Sequence, residues 1–145
     1  MIKLFAMDVD GTLTDGGIYM DGAGGEMKRF DVQDGQGIAQ LLRKGVKVVF
    51  ISGRFSAPTQ RRAEDLKITR CVNGIKDKLP ELEKIAAEFG ASAAETAYAG
   101  DDLPDIDCIR WAGLGIAVAN ARPEVLEAAR YVTRSAGGRG AIREC

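Results

Sequence analysis

Short apolar runs of strand length alternate with amphipathic stretches of helical length along the chain, and this alternation most constrains the fold. The run Val46–Ile51 is continuously apolar, as expected of a strand that is buried on both faces of a sheet. Between Asp77 and Gly90, apolar residues recur at three- and four-residue intervals, which indicates a helix. Strands alternating with helices favour a parallel sheet. We therefore predict a three-layer, Rossmann-like α/β fold in a single domain over residues 1–145.

Capping residues and glycines set the expected element boundaries. Asp34 is interpreted as the N-cap of a helix that Gly45 ends. Ile18–Met20 and Met27–Val32 flank the glycine-rich segment DGAGGE, which predicts a small β-hairpin insertion. The strands of the main sheet are predicted at Lys3–Val9, Val46–Ile51, Arg70–Val72, Thr96–Ala99, Leu114–Val118 and Tyr131–Thr133.

The absence of histidine limits the chemistry open to this chain. It excludes Ser-His-Asp and Cys-His catalysis and histidine-ligated zinc. The formal net charge of −1 provides no basic field for nucleic acid, and no apolar run reaches membrane-spanning length. We therefore expect no nucleic-acid partner, no membrane partner and a cytosolic location. Catalysis would depend on carboxylates, hydroxyls, lysine and arginine, with or without a hard metal ion.

Residues with charged or hydroxyl side chains, with one glycine among them, are found where predicted strands end or helices begin. Each motif alone has an ordinary structural explanation, such as a turn at DVDG or a helix cap at Asp102. Together, however, they fall at the edge where parallel sheets bind ligands. These residues are Asp8, Asp10, Ser52, Gly53, Arg54, Lys78, Asp101, Asp102 and Asp105.

The joint pattern matches the requirements of phosphoryl transfer to an aspartate. A carboxylate that faces a dianionic phosphate meets a repulsion of roughly 8 kcal/mol, twice that of one pair of unit charges about 4 Å apart at an effective dielectric near 20. A Mg²⁺ ion held by Asp8 and Asp101, with Lys78 beside it, would offset this repulsion. Ser52 and Gly53 offer a hydroxyl and an N–H group to phosphoryl oxygens.

These motifs resemble those of the haloacid dehalogenase superfamily of phosphatases. DVDGTLTD (8–15) resembles its first motif, Ser52 its second, Lys78 its third and GDDLPD (100–105) its fourth. The resemblance covers nearly the whole chain. It implies a magnesium-dependent phosphomonoesterase whose catalytic residues include Ser52 and Lys78.

The same resemblance implies a role for each acidic residue. Asp8 would form an aspartyl-phosphate, and Asp10 would protonate the leaving oxygen and later deprotonate the hydrolytic water. Mg²⁺ would be held by Asp8, by the backbone carbonyl of Asp10 and by Asp101. Asp102 and Asp105 would orient the groups around the metal without binding it.

Two longer segments, 15–38 and 131–144, are similar to the 3-deoxy-D-manno-octulosonate 8-phosphate phosphatases, which are cytosolic enzymes of lipopolysaccharide sugar synthesis. This similarity implies that the chain has no large cap domain and that it forms a homotetramer through the hairpin Ile18–Val32. Arg139 could reach a substrate carboxylate or could be a flexible tail residue. The implied substrate contacts are Asp10, Asp31, Val32, Gln33, Asp34, Gly35, Ser52, Gly53, Arg54, Arg62 and Lys78.

Several alternatives stay open at this point. Ala39 stands where these phosphatases usually have an arginine, so a sialic acid-type nonulosonate 9-phosphate is an alternative substrate. A non-catalytic oligomeric domain that partners a CMP-sialic acid synthetase is an alternative role. A phospho-accepting signalling receiver uses similar residues but places its acidic pair at the first strand, which is the reverse of the order found here.

Overall fold

Six of the apolar runs form one parallel sheet in the computed structural model, which describes residues 1–145. The strands are β1 (Leu4–Met7), β2 (Tyr19–Met20), β3 (Glu26–Met27), β4 (Lys47–Ser52), β5 (Arg70–Asn73), β6 (Thr96–Gly100), β7 (Leu114–Ala117) and β8 (Tyr131–Val132). The sheet order is β5-β4-β1-β6-β7-β8, and every neighbouring pair is parallel. β2 and β3 form a separate antiparallel hairpin. The predicted α/β class with a small hairpin insertion is confirmed.

Helices cover both faces of the sheet. They are α1 (Val32–Arg43), α2 (Ala57–Leu66), α3 (Lys78–Glu88), α4 (Ile106–Trp111), α5 (Pro123–Ala128) and α6 (Ala141–Glu144). Strand β4 shows the alternation that this arrangement requires. Val49 and Ile51 belong to the core shared with α3, α4 and α5, whereas Val48 and Phe50 belong to the core shared with α1, α2 and α6. The result is the three-layer arrangement predicted from the sequence. No helix is both long and apolar enough to span a membrane.

The strand order changes direction beside β1. The chain moves outward from β1 to β4 and β5 on one side, and then returns to β6 on the other. The loops after β1 and β6 therefore diverge and leave a crevice at their carboxyl ends, the usual ligand position in such sheets. A hydrogen bond from the Asp8 N–H to the Ala99 carbonyl (2.9 Å) ties the two strands together at this point.

The start of α1 differs from the prediction. Asp31, not Asp34, is the N-cap, because Asp31 Oδ1 accepts the N–H groups of Gln33 (2.7 Å) and Asp34 (3.3 Å). The helix therefore begins at Val32, and β3 is confined to Glu26–Met27 instead of the predicted Met27–Val32. Between β1 and α1 the chain contains this hairpin and no larger insertion.

The C-terminal segment contains a helix that was not predicted. In α6, Ala141 and Ile142 are buried against α1. Asp34 Oδ1 accepts the N–H of Arg143 (2.9 Å), and Asp34 Oδ2 accepts that of Gly140 (3.4 Å). Asp34 thus satisfies the N-terminal donors of α6, a helix distant in sequence, and not those of its own helix.

Candidate active site

The carboxyl ends of β1, β4 and β6 surround a cleft of about 500 Å³. Nine of the residues predicted from motifs line it, and Ile18, Lys76 and Pro104 complete it. The lining residues are Asp8, Asp10, Ile18, Ser52, Gly53, Arg54, Lys76, Lys78, Asp101, Asp102, Pro104 and Asp105.

Lys78 lies at the base of the cleft and joins two carboxylates. Its Nζ donates to Asp8 Oδ1 (2.7 Å) and to Asp105 Oδ1 (2.8 Å), and all three side chains are buried. Lys78 is the first residue of α3, so its position is set by the start of that helix. Asp77, where the predicted helix starts, occupies the N-cap position of α3 but makes no capping hydrogen bond through its side chain.

Burial and neighbouring charges shift the pKa values of this group. Burial raises the pKa of Asp8 well above its usual range, and the negative charge of Asp105 raises it further, while Lys78 opposes both. Burial lowers the pKa of Lys78, but the carboxylates of Asp8 and Asp105 outweigh burial, so the pKa of Lys78 is raised overall. Lys78 is therefore a charged ammonium at neutral pH.

Asp105 uses both carboxylate oxygens to hold its neighbours. Oδ1 accepts from Lys78 Nζ and from the hydroxyl of the fully buried Tyr98 (2.7 Å). Oδ2 accepts the N–H groups of Asp101 (3.1 Å) and Asp102 (3.2 Å). Because four donors already bind this carboxylate, Asp105 is suited to orienting the loop after β6 rather than to binding a metal. Tyr98 was not predicted as a site residue.

Carboxylate oxygens of Asp8, Asp101 and Asp105 lie within 4.8 Å of one another, close enough to surround one cation. Burial raises the pKa of Asp101, as it does that of Asp8. Buried carboxylates so close together favour protonation unless a cation compensates them. Gly11 leaves room for this cluster, because at its φ of +91° a Cβ would overlap Asp101 Oδ2.

This donor set fits a hard divalent cation, which prefers oxygen ligands. With Asp105 engaged by protein donors, Asp8 and Asp101 are the carboxylates available to hold it, together with the predicted backbone carbonyl of Asp10. Thr12 supports Asp101, because its hydroxyl donates to Asp101 Oδ1 (3.0 Å).

Asp10 contacts a lysine from the hairpin. Lys28 Nζ lies 2.7 Å from Asp10 Oδ1, in an orientation that makes a charge contact but not a directed hydrogen bond. The same Nζ donates to Thr59 Oγ1 (3.3 Å). Lys28 was missed in the sequence. Its two-residue spacing from Glu26 in a strand-like segment, which puts both side chains on one side, is the signal that could have indicated it.

Arg54 reaches from the cleft toward the hairpin. Its guanidinium pairs with both oxygens of Glu26 in β3, with Nη1 3.2 Å from Oε1. This hydrogen bonding lowers the pKa of Glu26 to about 2. The hydroxyl of Ser52 donates to the Arg54 carbonyl (2.9 Å) and so fixes the loop after β4.

The remaining predicted substrate contacts do not line this cleft. Arg62 stacks over the Phe30 ring at 5.6 Å, and its Nη2 donates to the Asp31 carbonyl (3.5 Å). The predicted contact of Asp34 is wrong, because its carboxylate is wholly buried and bonded to α6. Arg139 is exposed and lies 3.7 Å from Asp15. The contacts of Asp31, Val32, Gln33, Gly35 and Arg62 stay predictions.

A parallel sheet with paired acidic residues after its central strand, a buried lysine and an acidic loop after β6 is the arrangement expected of the haloacid dehalogenase-like hydrolases. A family model described as haloacid dehalogenase-like hydrolase matches residues 72–143. The 3-deoxy-D-manno-octulosonate 8-phosphate phosphatase of Yersinia pestis is 43% identical over 143 residues, which are 99% of this chain and 76% of that protein. The chain therefore belongs to the haloacid dehalogenase-like hydrolases and, within them, to the family of these phosphatases.

Solved structures agree with this assignment. The phosphatase of this type from Moraxella catarrhalis, solved in complex with a magnesium ion, a phosphate ion and a KDO molecule, is 45% identical and superposes with a TM-score of 0.96 over 99% of this chain and 82% of its own. The cobalt-bound enzyme from Haemophilus influenzae is 38% identical, with a TM-score of 0.95 over 99% and 84% of the two chains.

Proposed function

We propose that this chain is a magnesium-dependent phosphatase that hydrolyses 3-deoxy-D-manno-octulosonate 8-phosphate through an aspartyl-phosphate on Asp8. The observation that carries the proposal is the buried group at the tip of β1. There Lys78 holds Asp8 at 2.7 Å while the oxygens of Asp8 and Asp101 lie close enough to share a cation. Relatives named for this activity support the choice of substrate.

The reaction has two steps, and Asp10 gives up a proton in the first and takes one back in the second. In the first, an Asp8 oxygen forms a bond to phosphorus while the bond from phosphorus to the sugar oxygen breaks, and that oxygen takes the proton of Asp10. In the second, water transfers a proton to Asp10 and attacks the phosphorus, which releases phosphate and restores the Asp8 carboxylate. A bound Mg²⁺ supplies positive charge against the dianionic phosphate during these steps.

The residues of the chain bind the substrate, orient Asp8 and reduce the repulsion between Asp8 and the phosphate. Lys78 fixes Asp8 and remains charged, so it reduces the repulsion between that carboxylate and the phosphate. The loop fixed by Ser52 places Gly53 in the lining of the same cleft. Lys76 and Arg54, the latter paired with Glu26, also line the cleft and add positive charge that suits the carboxylate of a sugar acid.

The alternatives are less well supported. The relatives described above carry the octulosonate name, which favours that substrate over a nonulosonate 9-phosphate. A non-catalytic domain is disfavoured because the predicted acidic residues and Lys78 meet in one cleft. The cytosolic location expected from the sequence is part of this proposal.

The proposal includes a homotetramer that forms through the hairpin. Tyr19, Met20 and Met27 expose 66%, 71% and 68% of their surface on this two-stranded ribbon. Apolar side chains grouped in this way are typical of a surface that another chain covers. An isolated two-stranded ribbon is also only marginally stable in water.

A kinetic screen tests the activity. Phosphate release is measured from octulosonate 8-phosphate, a nonulosonate 9-phosphate and hexose phosphates, with Mg²⁺ or with a chelator. We expect the highest kcat/KM for octulosonate 8-phosphate, dependence on Mg²⁺, and no turnover by the folded Asp8→Asn variant. Exposed Asp107 on α4 gives the matched control, because Asp107→Asn removes a carboxylate outside the cleft. A preference for another phosphate would overturn the substrate, and turnover by Asp8→Asn would overturn the mechanism.

A further inference from the structure

We propose that Lys28 is a positioning residue that holds the carboxylate of Asp10 for proton transfer to and from the reacting oxygens. This inference rests on the proposed function, since it assigns Lys28 a part in the same reaction. Lys28 lies within the segment 15–38 but in none of the four short motifs described above, and none of them gives it a role.

The environment of Lys28 is unusual for a lysine. None of its side chain is exposed, and burial of an ammonium group is costly unless a charge or good acceptors compensate it. Its two contacts are Asp10 Oδ1 at 2.7 Å and the hydroxyl of Thr59 at 3.3 Å. The carboxylate in direct contact with this buried ammonium is therefore that of Asp10, and Glu26 adds a second negative charge nearby.

Asp10 depends on this contact in turn. Every other carboxylate that lines the cleft accepts a hydrogen bond: Asp8 from Lys78, Asp101 from Thr12, Asp102 from Leu103, and Asp105 from four donors. The carboxylate of Asp10 accepts none, and its Oδ1 is buried. Lys28 is thus the group that restrains the orientation of Asp10.

The hairpin delivers Lys28 to this position. Lys28 is the residue directly after β3, and Glu26, two residues earlier, pairs with Arg54, which also lines the cleft. One side of this segment therefore contributes a cation to Asp10 and an anion to Arg54. Since misplacement of a reacting group by about 1 Å can cost roughly 10²-fold in rate, the contact between Lys28 and Asp10 is expected to affect turnover more than substrate binding.

The test compares two leaving groups with the Lys28→Met variant, which keeps most of the length of the side chain and removes its charge. An alkyl leaving oxygen, as in octulosonate 8-phosphate, needs the proton of Asp10, whereas the phenolate released from p-nitrophenyl phosphate is stable without it. We expect the single-turnover rate of P–O cleavage to fall by about 10- to 100-fold for the sugar phosphate. The rate for p-nitrophenyl phosphate should fall less than about threefold, and KM for the sugar phosphate should change little.

Two controls separate positioning from a role in folding. Lys3→Met removes a lysine that pairs with Glu95 at 2.6 Å outside the cleft, and it should leave both rates unchanged. In an Asp10→Asn background, Lys28→Met should add no further loss for the sugar phosphate, because residues that act through one another are not additive. Lys28→Gln gives a second test if Lys28→Met does not fold, with the same difference expected between the leaving groups.

Equal losses on both substrates, or a full additional loss in the Asp10→Asn background, would overturn the role of Lys28 and leave the proposed function standing. Failure of the unaltered protein to cleave either substrate would instead overturn the proposed function and this inference with it.

Discussion

At the scale of single residues, buried hydrogen bonds determine how the acidic groups divide their work. Asp105 binds four donors and supports the loop after β6, whereas Asp8 has Lys78 as its partner. Carboxylates close together in space thus differ because the groups that they bind differ. A substitution that tests this division of roles should remove one hydrogen-bonding group and leave the packing of the side chain unchanged.

Tyr98→Phe removes a single hydroxyl from this network. The hydroxyl donates to Asp105 Oδ1 at 2.7 Å from a fully buried ring. We expect the free energy of unfolding to fall by about 1 kcal/mol and kcat to fall as well, because Asp105 helps to place Lys78.

Denaturant unfolding and steady-state kinetics measure both effects. Tyr131→Phe is the matched control, since its hydroxyl also makes a 2.7 Å hydrogen bond to a carboxylate, that of Glu144, but on the surface. A kcat that is equally affected in the two variants would argue against a role for Tyr98 in the site.

The sequence motifs were sufficient to predict the acidic residues that line the cleft, because spacing in DVDG and GDDLPD reflects local geometry, and Lys78 was predicted from its place where a helix begins. Lys28 and Tyr98 could not be found in this way. The role of Lys28 arises from contacts with residues that are distant along the chain. Tyr98 is a buried strand residue that the sequence alone does not distinguish from any other core residue. Asp34 was misassigned because its acceptors are used by α6, which is more than a hundred residues away.

At the scale of elements, Asp34 holds the C-terminal segment onto α1. Asp34→Ala would leave the N–H groups of Arg143 and Gly140 without their buried acceptor. We expect the free energy of unfolding to fall by about 1–3 kcal/mol and the amides of α6 to exchange faster with solvent. Asp31→Ala, which removes only the cap of α1, should cost about 1 kcal/mol and leave α6 protected. Unchanged exchange in α6 after Asp34→Ala would contradict this account.

The hairpin is the element whose exposed face most needs a partner. Replacing Met20 and Met27 together by serine should weaken association, because it removes apolar surface that the proposed assembly would bury. Light scattering coupled to size-exclusion chromatography measures the mass directly. Val132→Ser, at an exposed apolar site outside the hairpin, is the control and should not alter the mass. A monomeric unaltered protein would refute the tetramer.

Element types were predictable from periodicity, but some boundaries were not. The strand predicted over Met27–Val32 ends early and α1 begins at Val32, because the side chain of Asp31 accepts two helical N–H groups. Helix α6 was overlooked because its four residues form a helix too short to show periodicity. Its stability comes from packing on α1 and from Asp34.

At the scale of the whole molecule, the strand order places the carboxyl ends of β1 and β6 side by side and concentrates negative charge there. Burial raises the pKa values of Asp8 and Asp101 in the absence of metal. A group whose pKa is raised by folding stabilises the fold fully below its unfolded value, and that contribution is lost as the pH rises through the folded value. The metal-free protein should therefore lose stability as the pH rises above the ordinary carboxyl range.

Mg²⁺ should reverse this loss, because it binds the ionised carboxylates and displaces their protons. We expect the increase in Tm with Mg²⁺ to grow with pH. At 100 times the Kd, the stabilisation should be about 2.7 kcal/mol. Thermal unfolding with and without Mg²⁺ measures it, and Asp101→Asn should remove most of the effect while Asp107→Asn should not. A shift that is the same in both variants would place the ion elsewhere.

The most direct measurement is the identification of the residue that takes up the phosphoryl group. The protein is mixed with octulosonate 8-phosphate and Mg²⁺, quenched in acid within one turnover, and analysed by peptide mass spectrometry. We predict a phosphoryl adduct on Asp8 in the peptide that contains DVDG, and no adduct in Asp8→Asn. Turnover that proceeds with no adduct, or with an adduct on any other residue, would contradict the central claim.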